Sequence, residues 1–192
     1  MKGATDVDAE HYARKLIEAL NIPETESTKD TPRRLVDALV ELTAGVHQDP
    51  KRHLAVTFPA ESPDPGMIVV TGIPLVSVCE HHMLPFTGVA TVGYLPVPGA
   101  RIVGLSKLAR VAQEFAARPQ VQERLGDQIT TAITECLDTL GAACVIRAEH
   151  SCLTLRGARA TGATMVTSHL SGRFRDDPSV RGEFLSLAVN TN

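Results

Sequence analysis

The order of apolar patterns along the chain constrains its fold more than any other feature. Apolar residues spaced three or four apart predict helices, and β-branched apolar runs predict strands. These patterns give two helices, three strands, two helices, two strands and one helix, at residues 8–20, 31–45, 67–78, 88–97, 101–105, 106–117, 121–140, 143–157, 161–172 and 178–189. Such grouping predicts an α+β fold, with an antiparallel sheet covered by helices on one face.

The chain is long enough for one core domain with a smaller helical region before it. The Pro-rich stretch 59–66 predicts a surface loop between the two. We therefore expect an N-terminal helical region over residues 1–60 and a catalytic domain over 61–192. Trp is absent and aromatic residues make up only 4% of the chain, so aliphatic side chains must build the core.

Charge and hydropathy exclude several classes of protein. The net charge is −3 and no block of Lys and Arg stands out, which argues against a nucleic-acid partner. No apolar run is long enough to cross a membrane, and the N-terminus lacks the apolar stretch of a signal peptide. Four cysteines do not make a disulfide scaffold in a chain of 192 residues. We expect a cytoplasmic protein with reduced thiols.

Two short stretches carry side chains that bind metals. Cys79 and His82 stand three apart and need a turn to converge, whereas His150 and Cys152 share one face if they lie on an extended strand. Two thiolates and one imidazole suit zinc, and three protein ligands leave a fourth position for a catalytic water. The alternative is a pair of buried cysteines beside unrelated histidines. The combined spacing favours the metal.

The two remaining cysteines fit a different role. Cys136 falls on the apolar stripe of a predicted helix and Cys144 in a predicted strand. Free cysteine behaves as a small apolar residue and is often fully buried. Both are therefore predicted to pack in the core.

A second group of residues suits an anion. Ser106 begins a predicted helix, where free backbone N–H groups favour negative charge, and Lys107 and Arg110 stand three apart on that helix. Alone, a Lys and an Arg on a helix usually form a solvated face. If the strand continues past Cys152, alternation places Arg156 on the same face as the metal ligand.

The start of the next helix carries Gln122 and Glu123. A carboxylate there is favoured by the helix dipole alone. It could also accept hydrogen bonds from a guanine edge. The local sequence favours the simpler explanation.

Longer motifs resemble the GTP cyclohydrolase I family. They are TPRR at 31–34, CEHH at 79–82, GLSKLAR at 104–110, RPQVQERL at 118–125, HSCLTLRG at 150–157, MVTS at 165–168 and GEFLSL at 182–187. The likeness extends from about Thr31 to the end of the chain. It implies the tunnelling fold, with zinc as cofactor and GTP hydrolysed to 7,8-dihydroneopterin triphosphate and formate. It further implies a homodecamer, a dimer of pentamers with active sites between subunits.

The resemblance also implies a role for each matching residue. Asp37 departs from the pattern, because some members carry a basic residue there near the triphosphate. The implied zinc ligands are Cys79, His82 and Cys152; the acid–base histidines are His81 and His150, assisted by Ser106; the triphosphate contacts are Lys107, Arg110, Arg156 and, from a neighbouring subunit, Arg34; the guanine contacts are Gln122 and Glu123.

Three alternatives remain open on the sequence. A related enzyme could stop at a ring-opened formamide or feed a deazapurine pathway. A nitrile reductase of the same fold would use a Cys nucleophile with NADPH and no metal, which the complete Cys-His-Cys set argues against. A non-catalytic nucleotide-binding relative would be expected to lose a ligand or a histidine.

Overall fold

The structure, a computed structural model, describes residues 4–189, which fall into two compact units divided between Thr43 and Ala44. The first unit contains α1 (Ala4–Ala19) and α2 (Thr31–Leu42). Both helices were predicted, and Pro32 lies in the first turn of α2, where its missing N–H has no intrahelical partner to lose. Residues 1–3 and 190–192 of the predicted domains lie outside the described residues. The boundary near residue 60 between a helical region and a catalytic domain stays a prediction.

The second unit holds all seven strands, the other five α-helices and the one 3₁₀ helix of the described chain. In chain order its elements are a 3₁₀ helix (Pro50–Ala55), β1 (Thr57–Pro59), β2 (Ile68–Cys79), β3 (Pro85–Pro96), β4 (Arg101–Val103), α3 (Leu105–Ala116), β5 (Pro119–Gln120), α4 (Gln122–Cys136), β6 (Thr139–His150), α5 (Ser151–Thr154), β7 (Met165–Leu170), α6 (Arg173–Asp176) and α7 (Pro178–Val189). Within residues 4–189, no helix combines the length and apolar character needed to span a membrane.

A five-stranded sheet organises this unit, in the order β5-β2-β3-β6-β7. Strands β2, β3, β6 and β7 are antiparallel to their neighbours, and the short β5 runs parallel to β2. Strands β1 and β4 form a separate antiparallel ribbon. The predicted α+β class is confirmed. The two long central strands place their ends, and hence the loops after them, side by side.

Helices cover both faces of the sheet, because alternate residues of β6 belong to different cores. Ala142, Cys144 and Ile146 pack in the main core with α3 and α4. The intervening residues Ala143 and Val145 pack in a second cluster with side chains from α6 and α7, Phe174 and Phe184. The prediction that helices cover one face of the sheet was therefore incomplete. It holds for α3 and α4, whereas α6 and α7 pack on the other face.

The end of α4 differs from its predicted position. The helix stops at Cys136, and Leu137 is extended with φ −120° and ψ 147°. Leu137 is buried and Cys136 is exposed, so the prediction of a core role for Cys136 was wrong. The helix ends at Cys136 and does not extend to residue 140 as predicted, so Cys136 does not lie on a helical stripe that faces the core. Cys144 is fully buried as predicted, and burial raises the pKa of its thiol to about 12.

Close packing of β3 against β6 gives a stability prediction. A Cβ at Gly88 would lie 2.0 Å from the carbonyl oxygen of Arg147 and 2.6 Å from the Cα of Ala148. Backbone atoms of a central strand cannot move aside, so Gly88→Ala should lower the free energy of unfolding by about 1–3 kcal/mol. Gly182 is the control, because a Cβ there meets nothing within 4 Å. In helix α7, Gly182→Ala should stabilise by up to about 1 kcal/mol. Urea denaturation measures both, and an unchanged midpoint for Gly88→Ala would contradict the packing described.

Candidate metal centre

The candidate site lies where β2 and β6 end on either side of β3. Ser77 on β2 pairs with Phe86 on β3, and Phe86 pairs in turn with His150, the last residue of β6. The residues that follow Ser77 and His150 therefore leave the sheet at the same edge. This register brings together two stretches of sequence about seventy residues apart.

A tight turn after β2 carries the first two ligands. The N–H of Cys79 donates to the carbonyl of Leu84 at 2.8 Å, and the N–H of Met83 donates back to the carbonyl of Cys79 at 2.8 Å. Met83 adopts a left-handed conformation, with φ 54°, which closes the turn. The Nδ1 atom of His82 thereby lies 3.8 Å from the Sγ atom of Cys79. The turn predicted between Cys79 and His82 is confirmed.

A helical turn after β6 carries the third ligand, and here the sequence-based prediction was wrong. Residues 151–157 were expected to continue the strand, but β6 ends at His150 and Ser151–Thr154 forms α5. The N–H of Leu155 donates to the carbonyl of Ser151 at 3.0 Å. This turn folds the chain back and places the Sγ atom of Cys152 3.8 Å from that of Cys79. The thiol of Cys152 reaches Cys79 by this turn, so the expected strand alternation of His150 and Cys152 does not apply.

The three ligand atoms fit a tetrahedral metal ion. The side chains of Cys79, His82 and Cys152 offer one atom each, and these atoms all lie within 4.8 Å of one another. Tetrahedral zinc, with Zn–S bonds of about 2.3 Å, separates two sulfur ligands by about 3.8 Å. The observed separation of the two sulfur atoms is 3.8 Å. The group could therefore hold a metal ion, and three protein ligands leave one position for a small ligand.

The electrostatics of the two thiols also fit a cation. Burial raises the pKa of Cys152, and the adjacent Cys79 thiol raises it further. The positive charge of Arg156 acts in the opposite direction and lowers it. The Cys152 thiol therefore resists deprotonation, because burial and the neighbouring Cys79 both disfavour its thiolate. A bound divalent cation removes that penalty, since thiolates are its ligands.

The two histidines of the turn have different positions. The Nδ1 atoms of His81 and His82 both lie 3.8 Å from the Sγ atom of Cys79, and their rings meet edge to face at 6.2 Å. Only His82 joins Cys152 in the group that can hold a metal. His81 is exposed beside that group. The assignment of His82 as ligand and His81 as a separate histidine is consistent with this geometry.

His150 stands two residues before the ligand Cys152, and two neighbouring side chains hold its ring. Its ring stacks on the Phe86 ring, with centroids 4.3 Å apart and an interplanar angle of 10°. Its Nε2 atom lies 2.9 Å from the Oε1 atom of Gln122. Burial lowers the pKa of His150, and the negative charge of Glu123 partly opposes this shift. Phe86 and Gln122 therefore hold the imidazole in one orientation.

An ion pair that the sequence reasoning missed anchors the turn. Arg124 donates to the carboxylate of Glu80, to the Oε1 atom of Gln120 at 3.0 Å and to the carbonyl of Pro119 at 3.1 Å. This guanidinium holds the pKa of Glu80 below its usual range. The N–H of Glu80 also donates to the carbonyl of Gln120 at 3.0 Å. The opposite charges of Glu80 and Arg124 were visible in the sequence, but nothing there predicted that they pair.

The predicted anion-binding residues lie in several places. Ser106, Lys107 and Arg110 occupy the first two turns of α3, and the N–H of Lys107 donates to the carbonyl of Gly104 at 2.8 Å. Among residues 4–189, none of these three side chains hydrogen-bonds to the metal group. Arg110 lines a cleft of about 410 Å³. Arg156 is exposed just after α5.

The remaining predicted contacts divide between buried and exposed positions. Glu123 is exposed in the first turn of α4, whereas its neighbour Gln122 is only 1% exposed. Arg34 is exposed on α2 of the first unit, with its guanidinium 3.6 Å from the carboxylate of Asp30. The side chain of Gln122 is therefore closed to solvent. A guanine contact would require it to be open.

Comparison with known proteins gives a consistent family. The sequence model described as GTP cyclohydrolase I matches residues 9–189. A protein of Dehalococcoides mccartyi named GTP cyclohydrolase 1 is 47% identical over 165 residues, which cover 86% of each chain. Proteins of the same name from Pelotomaculum thermopropionicum and a Geobacillus species are 45% and 42% identical over 179 residues, or 93% of this chain and 94% of each relative.

These matches span both compact units and include every residue of the metal group. The predicted resemblance is confirmed, and nothing in the comparisons favours the alternative of a ring-opening enzyme that stops at a formamide. The chain belongs to the GTP cyclohydrolase I family.

Proposed function

We propose that the chain hydrolyses GTP to 7,8-dihydroneopterin triphosphate and formate, the first step towards folate or other pterins. One observation carries the proposal: Cys79, His82 and Cys152 form a group that could hold a metal, and His150 stands two residues before Cys152. Family membership supplies the reaction, and the relatives at 42–47% identity bear the name GTP cyclohydrolase 1. The site supplies the residue types that this chemistry requires.

Zinc is the proposed metal. Two thiolates and one imidazole at tetrahedral separations favour zinc over the hard cations Mg²⁺ and Ca²⁺, which prefer oxygen ligands. When bound, zinc lowers the pKa of a coordinated water towards neutrality and so supplies a nucleophile at working pH. Cys79, His82 and Cys152 would hold it.

His150 is the proposed proton donor at the purine. Hydrolysis at C8 is easier when N7 gains a proton, because the protonated five-membered ring is a better electrophile at C8. The ring of His150 is held by Phe86 and Gln122, so its position relative to the metal group is fixed. Two hydrolytic steps at C8 then release this carbon as formate.

His81 and Ser106 are proposed to act on the sugar. After formate leaves, the ribose ring must open and rearrange before the new six-membered ring closes. Both steps move protons to and from sugar oxygens, for which an imidazole and a hydroxyl are suitable groups. His81 and Ser106 are both exposed, so both side chains are accessible to a ligand.

The proposed substrate contacts are charged groups. Lys107, Arg110 and Arg156 would bind the triphosphate, and Arg34 would reach it from a neighbouring subunit. Glu123 would accept hydrogen bonds from N1–H and the 2-amino group of guanine. Adenine has no donor at position 1 or 2, which would leave this carboxylate unpaired.

Removal of the Glu123 carboxylate tests guanine recognition. Glu123→Ala should weaken GTP binding by about 1–3 kcal/mol, since it removes hydrogen bonds to a charged acceptor. The control is Glu135→Ala, because Glu135 is an exposed acid at the other end of α4 that pairs with Lys51. Isothermal titration with 7-deaza-GTP, which keeps the guanine edge but has no N7, measures affinity without turnover. Equal affinities in the two variants would leave Glu123 as a helix-start carboxylate.

We also propose that the chain is a cytoplasmic homodecamer with the tunnelling fold, two pentamers whose active sites lie between subunits. The four antiparallel strands β2, β3, β6 and β7 and the helix pair α3 and α4 are compatible with that fold. Light scattering gives the mass directly. A monomer that retains full activity would contradict active sites shared between subunits.

The product of the reaction tests the proposed function. Purified protein incubated with GTP should release formate and a pterin triphosphate in equal amounts, as followed by an enzymatic formate assay and by chromatography with fluorescence detection after oxidation. A ring-opened formamido compound as the final product would contradict the full reaction.

A further inference from the structure

The side chain of Gln122 is buried and its amide is already fully engaged. Its Nε2 atom lies 3.1 Å from the carbonyl oxygen of Ile146, 3.2 Å from that of Met165 and 3.2 Å from the Oγ1 atom of Thr167. Carbonyl oxygens only accept hydrogen bonds, so the atom that faces two of them must be the NH₂ group. The orientation of the amide is therefore determined by its surroundings, and its oxygen faces His150.

This orientation determines which nitrogen of His150 carries a proton. The Oε1 atom of Gln122 lies 2.9 Å from Nε2 of His150 and can only accept a hydrogen bond. The Nε2 atom of His150 must therefore be the donor. In the neutral ring, Nδ1 is then the nitrogen with the free lone pair.

The ring is also held in its plane. Phe86 is 1% exposed and stacks on His150 with an interplanar angle of 10°. Across residues 4–189, no further group hydrogen-bonds to the ring of His150. The Nδ1 atom is therefore the ring nitrogen left for a substrate.

We propose that Gln122 is a positioning residue that holds His150 as the Nε2–H tautomer, so that Nδ1 is the atom that exchanges a proton with the substrate. This inference rests on the proposed function. It gives Gln122 a different role from the guanine contact that the family resemblance implies, because its amide is committed to His150 and the strands.

The proton balance follows from the tautomer. The imidazolium form of His150 carries protons on both nitrogens, and transfer of the Nδ1 proton to N7 of the purine leaves the neutral Nε2–H ring. That is the form which Gln122 already stabilises, so no second proton has to move at Nε2. The ring regains its Nδ1 proton from water. A preorganised hydrogen bond of this kind lowers the cost of reorganisation during the reaction.

Solid-state NMR of the zinc-loaded protein, labelled with ¹⁵N-histidine and free of nucleotide, tests the tautomer. The His150 signals are identified by their loss in His150→Asn. At a pH where the ring is neutral, Nε2 should show the shift of a protonated nitrogen and Nδ1 that of an unprotonated one. The reverse pattern, or a mixture of both tautomers, would overturn the proposal. Because no GTP is present, this result does not depend on the proposed reaction.

Two buried glutamines provide a matched pair of variants. Gln122→Met removes the amide at nearly constant volume, and should abolish the single-tautomer pattern of His150. Gln120 is also 1% exposed, and its amide bonds to the carbonyl of Phe115, to Gln128 and to Arg124, with no hydrogen bond to His150. Gln120→Met should leave the His150 signals unchanged. If both variants disturb them equally, the effect is general loosening and the proposal fails.

Kinetics separate positioning from guanine binding. Gln122→Met should lower kcat about 10- to 100-fold, since a misdirected proton donor loses much of its catalytic effect. Its affinity for 7-deaza-GTP should stay within about twofold, as the side chain does not face solvent. Weaker binding at unchanged kcat would restore the guanine-contact role and overturn the inference.

Discussion

Cys152→Ala is expected to lose both bound zinc and GTP turnover. The variant removes one of two thiolates from a three-residue metal group, and the remaining Cys79 and His82 lie on the single turn after β2. Changes outside the ligand set already cost 10- to 100-fold, so loss of a ligand should lower zinc affinity and turnover by at least about 100-fold. Elemental analysis after dialysis and a GTP assay measure the two effects.

The control for this variant is Cys136→Ala. Cys136 is exposed at the end of α4 and belongs to no group that could hold a metal among the described residues. It should keep one zinc per chain and full turnover, which separates loss of a ligand from loss of any thiol. Full activity of Cys152→Ala without zinc would refute the metal assignment.

His150→Ala should retain zinc but lose ring opening. His150 is not one of the three ligands, so metal content should not change. A general acid typically contributes about 10²–10⁴-fold, and turnover should fall by a factor in that range. Affinity for 7-deaza-GTP should be nearly unchanged, because that analogue has no N7 to receive the proton.

The matched control is His47→Ala, which removes an exposed histidine that belongs to no candidate site. Its turnover should equal that of the unaltered protein. A normal rate in His150→Ala would remove His150 from proton transfer, and loss of zinc in that variant would assign it a role at the metal.

The fold was largely predictable because the long strands carry their own pattern. The β-branched runs predicted β2 and β3 to within a few residues, and the antiparallel character of the main sheet was also predicted. The helical turn after His150 was not predicted, because a few alternating residues are compatible with either a strand or a turn of helix. In the structure α5 packs against β3, which is distant in sequence, and such packing favours the helical turn over a continued strand.

The candidate site was predictable to the extent that its chemistry is unusual. Cys79, His82 and Cys152 could be recognised because soft ligands at short spacing have few other uses. The role of Gln122 was not visible, since a glutamine at a helix start is chemically unremarkable and its burial depends on β6 and β7. Arg124 was missed for the same reason, as its partner Glu80 is 44 residues away.

The most direct test of the metal-dependent reaction follows the carbon that is removed. GTP labelled with ¹³C at C8 is incubated with the zinc-loaded protein and observed by ¹³C NMR, before and after a chelator removes the metal. All of the label should appear as formate, conversion should stop on chelation, and added zinc should restore it. Formate production that continues after the zinc is gone, or label that stays in a purine or formamide, would contradict the account.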